Sequence, residues 1–99
     1  MTGGEAQIST TSRIVRNPDV TYRDLEEGGV LLHLQSGAYH GLNSTGSAIW
    51  NLLDGEPTLG DVVARLGSRL DEVPPNLERD VAGFLEGLRT RDLVRVQEA

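Results

Sequence analysis

The chain has 99 residues, no cysteine, nine arginines without a lysine, and fifteen acids that set the net charge at −6. That length holds one domain around one core, and four aromatic rings (Tyr22, Tyr39, Trp50, Phe84) leave little surplus for packing. Without cysteine there is no disulfide, thiol nucleophile or thiolate metal site, and without lysine there is no Schiff base and no P-loop.

Met1–Ser12 is small and polar around an isolated Ile8, and reads as a flexible arm before a domain over 13–99. Ile8 and Ile14-Val15 are candidates for an edge strand. From Val20 to Asn43 the apolar period is close to two. Val20–Leu25 predicts a first strand, Glu26–Gly29 a turn, and Val30–Gln35 a second strand. Ser36-Gly37 predicts a two-residue hairpin turn into a third strand over Ala38–Leu42. Counting outward from that turn pairs Leu34 with Tyr39, Leu32 with Gly41, His33 with His40 and Leu31 with Leu42. Val30, Leu32, Leu34 and Tyr39 then form the face turned to the core. Leu42 falls on the other face, which points to a bulge at Gly41. A proline at His40 tests the strand edge if the His40 N–H points outward.

Past Asn43 the period changes to about 3.6. Asn43 or Ser44 caps a first helix carrying Ala48, Ile49, Leu52 and Leu53, with Trp50 as a core anchor, up to Asp54-Gly55. Thr58 with Asp61 forms an acidic capping box for a second helix, whose stripe is Leu59, Val62, Val63, Leu66 and Leu70. Pro75 suits the first turn of a third helix with the stripe Leu77, Val81, Phe84, Leu85 and Leu88. Leu93–Val96 reads as a final short strand. The whole is an α+β domain of winged helix-turn-helix type: a three-stranded antiparallel meander followed by three α-helices.

The stretch Gly29–Gly55 resembles the PqqD-like family of precursor-peptide recognition elements. The residues that carry the likeness are the hairpin, Leu42-Asn43, Thr45-Gly46, Ile49-Trp50 and Leu52-Leu53-Asp54-Gly55. The similarity extends over about Val20 to Val96. In length and in its Gly-x-Tyr-x-Gly-Leu-Asn hairpin the chain is most similar to the stand-alone leader-binding proteins of lasso-peptide pathways.

The resemblance implies a winged-helix domain that binds an unfolded leader peptide as a strand added to the third strand. Apolar leader side chains would enter a groove against the third helix. The site residues it implies are Tyr39, His40, Gly41, Leu42, Leu77, Asp80, Val81, Phe84 and Leu88. The implied partners are the precursor's leader, a separate cysteine-protease subunit and an ATP-dependent cyclase, with no cofactor, no metal and no chemistry of its own.

An independent reading agrees in part, since a meander leaves the third strand as an open edge. The main alternative is a DNA-binding winged-helix regulator. It is disfavoured because the first two turns of the third helix net negative and a sequence pI near 4.7 leaves no surplus cations for phosphate. No apolar run reaches the roughly 18–20 residues of a membrane span and no signal-peptide layout opens the chain, so the expected compartment is the cytoplasm. A monomer or weak dimer is expected. His33 and His40 lack a third ligand for a metal, and no base–nucleophile pair is visible.

Overall fold

The structure, a computed structural model, describes residues 8–98. In chain order it contains β1 (Arg13–Arg16), β2 (Val20–Leu25), β3 (Gly28–His33), β4 (Tyr39–Leu42), α1 (Ser44–Asn51), α2 (Leu59–Gly67), α3 (Leu77–Thr90) and β5 (Val94–Gln97). β2, β3 and β4 make the expected antiparallel meander, so the first, second and third strands of the sequence reading are β2, β3 and β4. Ile14-Val15 and the C-terminal strand have a different use from the meander: β1 and β5 pair antiparallel as a separate two-stranded ribbon.

The hairpin register differs from the expected one by two residues. Leu32 pairs with Tyr39, Leu31 with His40, Val30 with Gly41 and Gly29 with Leu42. The cause is the turn, which spans Leu34–Ala38 rather than Ser36-Gly37 alone. Gly37, at φ +77°, donates its N–H to the His33 carbonyl at 2.7 Å, and the His33 N–H donates to the Ala38 carbonyl at 2.9 Å. The His33 Nδ1 also accepts the Ser36 N–H at 3.3 Å.

The buried face is the opposite of the expected one. Leu31 and His33 are buried with Gly29, whereas Leu34 and Tyr39 are exposed. Leu34 looks apolar in sequence but sits in the turn. His33 looks polar but has both ring nitrogens engaged, because its Nε2 lies 3.1 Å from Asp92 Oδ2. With Nδ1 accepting, Nε2 is the donor. Leu42 therefore belongs on the core face without a bulge, and His33 and His40 are not partners. Gly28 and Gly29 open β3 where no side chain fits: a Cβ on Gly28 would lie 2.1 Å from the Leu42 carbonyl oxygen, and one on Gly29 2.4 Å from the Tyr22 ring.

Of the helices, α1 lies against that face, and α3 packs on α2 and β5. Asn43 caps α1, its Oδ1 accepting the Gly46 N–H at 2.7 Å. Trp50 is a core anchor, 3% exposed. The Arg16 guanidinium lies over its ring at 5.2 Å from the centroid and donates to its carbonyl. The Thr58–Asp61 capping box is complete at α2. The Thr58 N–H is the main reason the Asp61 carboxyl is held below the usual carboxylate range.

Three helix boundaries differ from the sequence expectation. α1 stops at Asn51, so Leu52 and Leu53 follow it in the turn before Gly55, still buried in the core. α2 stops at Gly67, so Leu70 lies beyond it and is exposed. α3 begins at Leu77 after Asn76, two residues past Pro75, which sits in the preceding turn. Leu85, Leu88 and Val81 carry α3 into a core shared with Ile14, Leu31 and Leu53. Ile8–Ser12 is docked: the Thr10 and Ser12 carbonyls accept the Gly60 and Leu59 N–H groups, two of the amides a helix leaves unpaired at its start. The rest of the expected arm, residues 1–7, lies outside the described residues.

Candidate functional site

β4 is an edge of the meander, and its free backbone groups can be assigned. The His33 N–H bonds to the Ala38 carbonyl across the hairpin, while the Leu34 N–H bonds to the Asp19 carbonyl on the other side. Antiparallel ladders alternate, so His40 and Leu42 direct their backbone groups to β3. Tyr39 and Gly41 direct theirs outward. The His40 N–H is therefore a ladder donor, which corrects the premise for a proline at that position; the outward donors belong to Tyr39 and Gly41.

β4 runs through Asn43 into α1, and there a groove of about 540 Å³ opens between α1, the end of α2 and α3. Leu77, Asp80, Val81 and Phe84 of the expected set line it. Phe84 is half-buried at its inner end, close enough to α1 that a Cβ on Gly46 would stand 3.2 Å from the ring. Leu77 and Val81 are buried beneath its floor, and Asp80 is exposed at its rim. Leu88 is not brought to the site: it lies one turn beyond Phe84 and Leu85, buried in the core and outside the groove lining. Tyr39, His40, Gly41 and Leu42 stand on the adjoining strand, with Tyr39 turned to the outer face of the sheet, away from the helices.

The groove also uses residues the periodicity hides. Ile49 and Ala48 contribute from α1, and Arg69, Leu70 and Pro74 from the segment between α2 and α3. Leu70 continues the α2 stripe in sequence, but Gly67 and Ser68 end the helix first. The helix-weakening Gly67 was the available signal. The rim carries one cation, Arg69, and one acid, Asp80, around a lining that is mainly apolar. Such a cleft suits an apolar side chain held by a few polar contacts.

The model of the family described as "Coenzyme PQQ synthesis protein D (PqqD)" matches residues 28–94, from the first residue of β3 to the first of β5. The chain belongs to the PqqD family. It is 38% identical over 61 residues to "PqqA binding protein 2" of Pseudomonas putida strain KT2440, which covers 62% of this chain and 67% of that protein. Two solved structures share its fold. "TbiB1 in Complex with the TbiA(beta) Leader Peptide" matches with a TM-score of 0.74 and 32% identity, over 82% of this chain and 94% of that one. "Lasso peptide synthetase B1 complexed with the leader peptide" matches with a TM-score of 0.69 and 30% identity, over 83% of this chain and 96% of that one. No helix among the described residues is long and apolar enough to cross a membrane.

Proposed function

We propose that this chain binds the leader segment of a ribosomally made precursor peptide in lasso-peptide biosynthesis. The leader adds as a strand to β4 and sends apolar side chains into the groove beside α3. The observation that carries this reading is the junction at Asn43, where an open strand edge runs into an apolar groove. Edge pairing supplies affinity with little sequence preference, and the groove supplies selectivity. The solved relatives, both in complexes with leader peptides, support the same ligand class.

In this reading the domain carries out no chemistry and presents the bound precursor to a cysteine-protease subunit and an ATP-dependent cyclase. The DNA-binding alternative has poor support, since the first turn of α3 carries Glu78 and Asp80, the wrong sign for phosphate. The test is fluorescence anisotropy with a labelled candidate leader peptide. Leu70→Ala and Phe84→Ala are expected to weaken binding at least about tenfold, the loss of a buried apolar contact worth about 1.4 kcal/mol or more. Arg95→Ala, exposed on β5, is expected to leave it unchanged. Equal effects of all three would place the ligand elsewhere.

A further inference from the structure

Strand addition to β4 has a consequence for the face of the sheet that the helices do not cover. Successive side chains of an added strand point to opposite faces. Those that do not enter the groove lie on the outer face, beside Tyr39 and Gly41. Behind these two residues, on β3, stand Leu32 opposite Tyr39 and Val30 opposite Gly41. Val30, Leu32 and Tyr39 border a depression of about 290 Å³ with Thr21 and Arg23 of β2.

Gly41 is a gap beside this surface, which mixes the apolar Val30, Leu32 and Tyr39 with Thr21 and Arg23. Its φ is not positive, and a Cβ added there would meet nothing within 4 Å. Neither backbone conformation nor packing inside the domain calls for glycine, although a strand interior disfavours it. Tyr39, beside the gap, is 70% exposed, more than any other large hydrophobic side chain among the described residues. An added strand would lie two strand spacings from β3, about 9.6 Å. A long side chain opposite Gly41 is needed to bridge that distance, and a flat ring covers a bare glycine while meeting the ring next to it.

We propose that the gap over Gly41 is a second reading position for the leader, on the face opposite the α3 groove. An aromatic leader side chain opposite Gly41 lies across the glycine onto Val30 with its ring against Tyr39. This rests on the leader adding to β4 as a strand. It makes recognition two-sided: apolar residues flanking the aromatic one enter the groove, and the aromatic residue between them is read outside.

The test is selection of a phage-displayed library of random 12-residue peptides on three folded proteins: the wild type, Gly41→Leu and Val30→Ser. Circular dichroism and a thermal melt establish folding, and Val30→Ser carries the comparison if Gly41→Leu does not fold. The wild type is expected to enrich peptides with an aromatic residue at one position between two apolar ones. Both variants are expected to keep the apolar pair and lose the aromatic preference. Resynthesised with alanine at that position, a selected peptide should bind the wild type about tenfold more weakly and the variants equally well. An aromatic preference that survives in both variants, or that is missing from peptides selected on the wild type, overturns the outer position while leaving strand addition standing. No enrichment on the wild type removes the peptide-binding reading and this position with it.

Discussion

Two adjacent prolines separate an edge that pairs with a peptide from one that merely looks open. At Gly41 the N–H points away from β3, the φ is not positive, and a Cβ meets no neighbour within 4 Å. Proline there costs the fold no ladder bond, and the preceding His40 is already extended, as proline requires. The melting temperature of Gly41→Pro is expected within a few degrees of wild type. For an added strand the change is severe, because the donor is gone and the ring stands where the partner strand must approach to about 4.8 Å. One lost interstrand bond is worth about 0.5–1.5 kcal/mol. Losing the bonds on both sides of the ring brings the total to about 2–3 kcal/mol, roughly 30- to 150-fold in Kd.

At His40 the balance reverses. Proline removes the ladder bond to Leu31, a residue with no exposed surface, and strands its carbonyl at a cost of about 1–3 kcal/mol. In a domain of this size that lowers the melting temperature by roughly 5–20 °C. Anisotropy with the labelled leader and a thermal melt on both variants read the two effects separately. A folded Gly41→Pro that binds the leader as wild type does would refute strand addition on β4.

Three further outcomes follow from other parts of the molecule. Asn17→Ala is expected to lower stability by about 1–3 kcal/mol in a urea melt. The buried Asn17 Nδ2 donates to the Asp92 carbonyl at 2.7 Å and its Oδ1 accepts the Asp19 N–H at 2.9 Å. Arg16→Ala should cost about 1 kcal/mol and change the Trp50 emission, since it removes the guanidinium from the indole face; an unchanged spectrum would contradict that contact. Asp61→Asn should destabilise at neutral pH and match wild type in strong acid. The folded Asp61 carboxyl titrates below its unfolded value, so its contribution is complete above the unfolded pKa, about 3.9, and is lost as pH falls through the folded one. Melts of both proteins from pH 7 to pH 2 check the convergence.

Much of the local structure was legible in the residues. Asn43, Thr58 and Asp61 marked helix starts because a side-chain oxygen that satisfies a free amide needs only local geometry. The period-two and 3.6 stretches identified the meander and the three helices, and Trp50 was recognisable as a core anchor. The groove was half legible: Leu77, Val81 and Phe84 lie on one helical stripe, but Ile49 and Leu70 reach it from other elements. Leu88 shares the stripe, and only the packing of α3 against β5 and the core shows that it is covered.

Length, acidity and the absence of cysteine and lysine determined from the start that this is a small one-core domain without thiol or lysine chemistry. Those properties depend on composition alone. Which face of the hairpin is buried was decided only by tertiary structure. A two-residue change in turn length leaves the alternation of side chains intact, and Leu34 and His33 each suggest the wrong environment from chemistry alone. Asp92, 59 residues along the chain from His33, makes it possible to bury the imidazole. That contact turns Tyr39 outward, and the register that accompanies it leaves the backbone of Tyr39 and Gly41 free at the edge.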